Sequence, residues 1–152
     1  MRISAKVDYA VRALCEIAAR SGDVPVKADE IARAQDIPHS FLENILVDLR
    51  RAGFVRSLRG QVGGYRMATA PSAITIADVI RAIDGPLANV AGVRPDALDL
   101  TGSAEPLQQV WVSLRSSIRT VLEHVTIADV VSGDLPQPVV DLARDREAWQ
   151  PH

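Results

Sequence analysis

The sequence is poor in side chains that hold metals or form cross-links. Its 152 residues contain one cysteine, Cys15, and three histidines. A single cysteine cannot form an intrachain disulfide, and by itself it cannot supply a thiolate metal site. Cys15 lies among the apolar positions of a predicted helix, which favours a buried structural thiol. His39 and His124 each stand alone on a predicted helix, a pattern more typical of surface or core residues than of ligands.

The residue constellations of common enzymes are also missing. A hydrolase of the Ser-His-Asp type needs a suitably placed histidine, yet one of the three histidines is the last residue, His152. No glycine-rich loop follows a strand and opens a helix, as a phosphate-binding loop would. We therefore predict that the protein is not an enzyme.

Long apolar runs are absent. No stretch approaches the roughly 18 apolar residues that a membrane helix needs, and the first ten residues lack the apolar core of a signal peptide. Hydrophobic residues make up 47% and charged residues 24% of the sequence, which is typical of a globular protein. We expect a cytoplasmic protein with no membrane association, built as one domain or as a small domain with a long helical extension.

Positive and negative charges are nearly balanced overall but unevenly distributed. The net charge is -2. Residues 1–69 hold 11 basic and 8 acidic side chains, whereas residues 70–152 hold 6 basic and 11 acidic ones. The segment 54–69 contains Arg56, Arg59 and Arg66 and no acidic residue. A local basic patch of this kind is typical of a nucleic-acid contact, even on a mildly acidic protein.

The first third of the chain predicts three helices. Apolar residues recur at helical spacing from residue 4 to about 20, with Ser4 as the N-cap. A short second helix is predicted at about 27–34. The third helix, over residues 38–52, opens at Pro38 and stops at a glycine. Two helices joined by a turn of about four residues are typical of a helix-turn-helix.

The pattern changes at the segment SLRGQVGGYRMAT. Short runs of β-branched and aromatic residues flank the stretch GQVG, which predicts two antiparallel strands joined by a glycine-bearing loop. A helix-turn-helix followed by a β-hairpin is a winged helix. We therefore predict a mainly α fold containing a winged helix-turn-helix, with a two-stranded wing over residues 54–69 and Arg59 at the wing tip.

The winged helix predicts a DNA-contacting surface. His39, Ser40 and Glu43 lie away from the apolar face of the third helix, where they could reach base edges in a major groove. A wing arginine suits the narrow minor groove, whose negative potential attracts a planar cation. The predicted DNA-binding residues are His39, Ser40, Glu43, Arg50, Arg56, Arg59, Gly60 and Tyr65. The alternatives are a merely solvated helix face with a solubilising loop, or a winged helix that serves as a protein-interaction module.

A second apolar pattern begins at Leu107. Apolar residues follow it at a 4-3-4-3-4 spacing, which marks a seam along a long helix. The seam residues are Leu107, Trp111, Leu114, Ile118, Val121 and Val125. We predict that this helix packs against its twin in a homodimer. The alternative is that the seam covers the core of its own chain.

The motif TIADV occurs twice, at residues 75–79 and 126–130. Each copy has a threonine where an N-cap belongs and an aspartate three residues later, which is close to a capping box. Both copies therefore predict helix starts. The residues around them do not match, so a duplicated domain is not indicated.

Three segments together resemble a known family. They are YAVRALCEIAA at residues 9–19, IPHSFLENILVDLRRAGFVRSLRGQVGGYRMA at 37–68, and ITIADVIRAIDGPL at 74–87. They resemble the Rrf2 family of bacterial transcription regulators, closely over about the first 90 residues and in general layout beyond. The resemblance implies a dimeric winged-helix regulator, usually a repressor and occasionally an activator, that binds double-stranded DNA at an imperfect palindrome.

The resemblance also implies a division of the chain and a missing cofactor. Residues 1–85 form the DNA-binding domain, 86–103 a loop, 104–133 the dimerisation helices and 134–152 a flexible tail. Cluster-binding members of the family carry three cysteines in the loop before the dimer helix. Residues 85–107 hold none, and iron–sulfur clusters need soft thiolate ligands. We therefore expect no cluster and no other cofactor.

The signal that controls DNA binding stays open at this point. A small-molecule effector could lie between the DNA-binding domain and the dimer helix, lined by Trp111 and residues 90–100. A protein partner is a second route, and loss of sensing is a third. The tail is rich in proline and charge, and its apolar residues could dock on a partner subunit.

The purified protein is expected to be colourless, because its loop lacks the cysteines that an iron–sulfur cluster needs. An absorption spectrum of the freshly purified protein tests this expectation. Visible absorbance that bleaches when an oxidant is added would contradict it.

Overall fold

The computed structural model of the chain describes residues 2–20, 22 and 24–150. Over these ranges it contains seven α-helices and one two-stranded antiparallel sheet, which confirms the predicted mainly α fold. No helix in these ranges is both long and apolar enough to span a membrane. The outer ends of the predicted first domain and tail, residues 1 and 151–152, lie outside the described residues.

Three N-terminal helices form the helix-turn-helix. They are α1 (Ala5–Ala19), α2 (Ala28–Gln35) and α3 (His39–Arg51). Ser4 caps α1 as predicted, because its hydroxyl accepts a hydrogen bond from the Val7 amide at 3.1 Å. The turn between α2 and α3 closes on Asp36, whose φ of 50° lies in the left-handed region. This turn brings α3 into contact with α1.

The wing follows α3 directly. Its strands are β1 (Val55–Leu58) and β2 (Gly64–Met67), which pair antiparallel with Val55 opposite Met67 and Leu58 opposite Gly64. Residues 59–63 form the loop at the tip. The predicted hairpin therefore has short strands and a five-residue connection.

Two adjacent glycines allow close backbone approaches, one within the wing and one between the wing and Val26. A Cβ atom on Gly63 would lie 2.5 Å from the Leu58 carbonyl oxygen, and one on Gly64 would lie 2.5 Å from the Val26 carbonyl oxygen. The second approach arises because Tyr65 and Val26 exchange backbone hydrogen bonds of 2.8 and 2.9 Å. The start of β2, next to the tip loop, is thus held to the segment before α2.

The hydrophobic core is centred on α1 and α3. The leucines and isoleucines that these two helices bury fully or nearly fully are Leu14, Ile17, Leu42, Ile45, Leu46 and Leu49. Each such side chain contributes about 1.5–3 kcal/mol through its burial. The four on α3 share one face, so the opposite face is left to solvent.

Both copies of TIADV begin helices, as predicted. α4 (Ile76–Ile83) follows Thr75, and α6 (Ile127–Ser132) follows Thr126. In each copy the threonine hydroxyl accepts a hydrogen bond from the aspartate amide three residues later, at 3.1 Å. The aspartate carboxylate in turn accepts from the threonine amide, which completes a capping box.

The two helix starts also pair with each other, which the sequence does not indicate. The Ile76 amide donates to the Val125 carbonyl, and the Ile127 amide donates to the Ile74 carbonyl, both at 2.9 Å. Ile127 is fully buried in the core beside α1. The segment 126–132 therefore packs with the DNA-binding domain, although the predicted division groups it with the dimerisation helix.

The long helix α5 (Leu107–Leu122) has no buried residue along its whole length. It ends earlier than the predicted seam, which runs to Val125. Val125 is only 6% exposed, and the chain turns there to pair with α4. The prediction that Val125 belongs to the seam is therefore wrong, because that residue lies beyond the helix and in the core.

The C-terminal tail contains a short helix, α7 (Gln137–Ala143), with no buried residue. The Trp149 indole donates a hydrogen bond to the Ala143 carbonyl at 2.6 Å, so the end of the tail folds back on α7. The tail predicted as flexible thus has local helical structure. Its docking on a partner subunit stays a prediction.

Gly64→Ala is expected to destabilise the protein by about 1–3 kcal/mol, because the new methyl group would overlap the Val26 backbone. Gly22→Ala is the control, since the nearest atom to its new Cβ is 3.9 Å away. Urea unfolding measures both free energies. Equal stability of the two variants would contradict the close approach of the wing to Val26.

Candidate nucleic-acid interface

The orientation of α3 is fixed by contacts with α1. Lys6 Nζ lies 2.6 Å from Asp48 Oδ2. The rings of Tyr9 and Phe41 meet edge to face with centroids 6.3 Å apart. With the buried leucines and isoleucines, these contacts determine which face of α3 is presented to solvent.

The solvent face of α3 carries three adjacent polar side chains. The sequence predicts Ser40 and Glu43 here, and the structure adds Asn44; all three are exposed. Asn44 Nδ2 donates to the Ser40 carbonyl at 3.1 Å. An asparagine can pair with both edge groups of adenine in the major groove, and a glutamate can accept from cytosine. The spacing of four between Ser40 and Asn44 could have identified Asn44 from the sequence.

His39 lies at the start of α3 and contacts two carboxylates. Its Nε2 is 2.7 Å from Asp29 Oδ1 on α2, and its Nδ1 is 3.6 Å from Glu43 Oε1. The imidazole therefore links α2 to α3 as well as lying beside the exposed polar face. We assign it a positioning role for Glu43 in addition to the predicted DNA contact.

The three predicted DNA-binding arginines add positive charge to α3 and the wing. Arg50, Arg56 and Arg59 are all exposed. Arg50 Nη1 lies 3.5 Å from the Ser57 hydroxyl, so the end of α3 is close to β1. Within the part of the chain that the structure describes, none of the three forms an ion pair with a carboxylate. Their charges are therefore available to phosphate groups.

Gly60 and Tyr65 occupy different environments from the arginines. Gly60 is exposed at the tip and has a φ of 111°, which suits the turn. The Tyr65 side chain is half-buried against the hydrophobic core, and its backbone holds the wing to Val26. Tyr65 therefore helps to hold the wing in position, and its side chain does not lie among the exposed residues of α3.

The apolar residues of α5 divide between two faces. Leu107 and Leu114, from the predicted seam, are 40% and 45% exposed, and Val110 between them is 54% exposed. Trp111 and Ile118 are half-buried beside the loop of their own chain. The chain itself thus half-covers Trp111 and Ile118, whereas Leu107, Val110 and Leu114 stay exposed, and the sequence pattern did not include Val110.

Ionic contacts tie α5 to the preceding loop near the middle of the helix and to α4 near its C-terminal end. Arg81 on α4 and Arg119 on α5 both donate to Glu123. These hydrogen bonds, that from Arg119 first, lower the pKa of Glu123. In the loop before α5, Asp96 pairs with Arg94 and lies 2.8 Å from Arg115 Nη1. The hydrogen bond from Arg94 and the charge of Arg115 lower the pKa of Asp96.

Comparison with known proteins identifies relatives over nearly the whole chain. A family model described as "Rrf2: Iron-dependent Transcriptional regulator" matches residues 3–133. Two proteins, one from each of two Mycobacterium tuberculosis strains, are named as proposed HTH-type transcriptional regulators. Each is 48% identical to this chain over 150 residues, which cover 99% of this chain and 93% of the relative. The HTH-type transcriptional regulator CymR of Bacillus subtilis is 32% identical, covering 87% of this chain and 91% of its own.

Solved structures show the same fold. The structure of CymR, the global cysteine regulator of Bacillus subtilis, superposes with a TM-score of 0.74 at 32% identity, covering 87% of this chain and 97% of that one. The structure of T. potens IscR superposes with a TM-score of 0.71 at 30% identity, covering 93% of this chain and 96% of that one. These matches confirm the winged helix and the resemblance drawn from the sequence, and they agree with a regulator that is not an enzyme.

The iron dependence in the family description does not fit the donor atoms of this chain. Over residues 2–20, 22 and 24–150, no three His, Cys, Asp or Glu side chains are grouped so as to hold a metal ion. Cys15 lies on α1, and burial raises its pKa to about 11. A raised pKa disfavours the thiolate form that a metal ligand requires.

Arg59→Ala is expected to weaken DNA binding by about 1.5–3 kcal/mol for each bound subunit, the range of one charge-assisted hydrogen bond. The slope of log affinity against log salt should also fall by about one unit for each bound subunit, because each loses one phosphate contact. Fluorescence anisotropy with a duplex selected by the parent protein measures both quantities. Arg144→Ala, a change on the exposed tail, is the control. Equal affinity and slope for the two variants would count against the wing as a DNA contact.

Proposed function

Because the chain belongs to the Rrf2 family of DNA-binding transcriptional regulators, we propose that it is a homodimeric repressor of a palindromic operator. Each subunit presents the exposed face of α3 to a major groove and the wing arginines to the adjacent backbone or minor groove. The protein acts in the cytoplasm, where the operator is accessible. Its DNA affinity is set by a small-molecule effector or a protein partner.

The exposed seam of α5 is the observation that carries the dimer. Leu107, Val110 and Leu114 follow one another at a spacing of three and four, and each is at least 40% exposed in the single chain. Val121 continues the same spacing one heptad after Leu114. A contiguous apolar stripe of this kind is typical of an interface. A second copy of the same helix covers it most simply, since two-fold pairing matches a surface with itself.

A two-fold dimer explains the palindrome and the repression. Two recognition helices related by a two-fold axis match two inverted half-sites, with their centres one helical turn or a multiple of it apart. A protein that covers both half-sites blocks access to the DNA between them. Repression of this kind needs no further contact with the transcription machinery.

The exposed arginines favour DNA binding over a role as a protein-interaction module. Arg50, Arg56 and Arg59 are exposed on α3 and the wing. Within the described ranges, none of the three pairs with a carboxylate of the chain. Arginines of this kind support phosphate binding and predict an affinity that falls steeply as salt rises.

Val110→Asp is expected to convert the dimer into a monomer of 16.4 kDa, because the seam would bury unpaired carboxylates. DNA affinity should fall at least tenfold, since the two half-sites would no longer be bound by one linked unit. Sedimentation equilibrium and anisotropy measure the two effects.

Gln109→Asp is the matched control for this substitution. It adds the same charge to the neighbouring exposed residue, which lies outside the apolar stripe, and it should leave a dimer with parental affinity. A monomeric parent, or a Val110→Asp variant that stays dimeric, would contradict the proposed interface.

A further inference from the structure

A cavity of about 420 Å³ lies between α5 and the loop that leads into it. Its apolar walls include Trp111 and Ile118 from α5 and Val90 and Pro95 from the loop. Arg2 and Asn89 add polar groups to the lining. A volume of this size, with mostly apolar walls and few polar groups, is typical of a small-molecule site.

The polar groups of the cavity are exposed donors. Over the residues that the structure describes, neither the Arg2 guanidinium nor the Asn89 amide forms a hydrogen bond or ion pair within the chain, and both side chains are exposed. The nearby cations Arg94 and Arg115 both pair with Asp96 and are not among the residues that line the cavity. Arg2 is therefore the cation in the cavity wall, and a guanidinium favours a carboxylate because it can donate two parallel hydrogen bonds.

The loop that forms one wall of the cavity is held in place by contacts within its own chain. Val90 and Val93 exchange backbone hydrogen bonds of 2.9 Å, which closes a tight turn. The Asp96–Arg115 ion pair and a 3.1 Å hydrogen bond from the Gln108 amide to the Leu98 carbonyl fasten the loop to α5. A preformed wall reduces the ordering cost of binding.

We propose that this cavity binds a small amphipathic carboxylate that acts as the effector. The carboxylate pairs with Arg2 and Asn89, and the apolar body packs against Trp111, Ile118 and Val90. This inference rests on the proposed function for its regulatory consequence, although binding itself can be measured without DNA.

The position of the cavity explains how a ligand would alter DNA binding. Leu114 lies both on the cavity wall and on the exposed seam, so the two sites share a side chain. The other end of α5 is tied to α4 through Glu123 and Arg81. A ligand that shifts α5 against the loop therefore changes the separation of the recognition helices in the dimer.

The test uses the full chain with Trp149→Phe, which leaves Trp111 as the single tryptophan. The probes are 4-phenylbutyrate and 4-phenylbutylamine, which share a shape and differ in the sign of their charge. We expect 4-phenylbutyrate to change Trp111 emission saturably and to bind at least tenfold more tightly than the amine. Arg2→Ala should weaken 4-phenylbutyrate binding about tenfold, and the tail variant Arg144→Ala should leave it unchanged.

Several outcomes would overturn the proposal. These are an absence of saturable binding, equal affinity for the two probes, or equal effects of Arg2→Ala and Arg144→Ala. Probe binding that is seen only in the monomeric Val110→Asp variant would also overturn it, since a second copy would then occupy the cavity. Titration of a selected duplex without probe tests the proposed function separately. Failure to select any duplex would count against the repressor, whereas failure to bind the carboxylate would count against the cavity alone.

Discussion

The organisation of this protein depends on an apolar stripe that one chain cannot bury. α5 has sixteen residues and none of them is buried within its own chain, although leucine and valine recur along one face. Exposed apolar area of that extent favours association, at about 25 cal/mol for each Å² removed from water. By contrast, α1 and α3 bury their leucines and isoleucines. The proposed association therefore uses α5 and leaves the exposed face of α3 free.

Backbone hydrogen bonds and a buried isoleucine connect the end of α5 to the domain that carries α3. The chain leaves α5, pairs Val125 with Ile76, and inserts Ile127 into the core beside α1. Two capping boxes fix the starts of α4 and α6 on either side of that pairing. Since α4 also receives the Arg81–Glu123 contact, a change in the angle of α5 is transmitted to the domain that carries α3. In the proposed dimer, contacts within each subunit therefore link the pairing of α5 to the spacing of the two α3 helices.

Local patterns in the sequence predict much of this fold, whereas long-range contacts decide the rest. Ser4, both TIADV motifs and the glycine-bearing hairpin have local signatures, and the structure confirms the elements they predict. The seam of α5 could be predicted only in part, because residues such as Trp111 and Val110 are adjacent and each fits an apolar face. Which of them turns inward depends on the loop at 88–95, whose position has no local signature. For the same reason, the burial of Val125 and the inward packing of Tyr65 could not be predicted.

Selection of bound sequences from random duplex DNA tests the central claim most directly, because it reports DNA binding, symmetry and spacing together. Paired recognition helices held apart by α5 predict an inverted repeat with half-sites centred one helical turn, or a multiple of it, apart. Enrichment of a single half-site, of direct repeats, or of inverted repeats with no preferred spacing would contradict the claim.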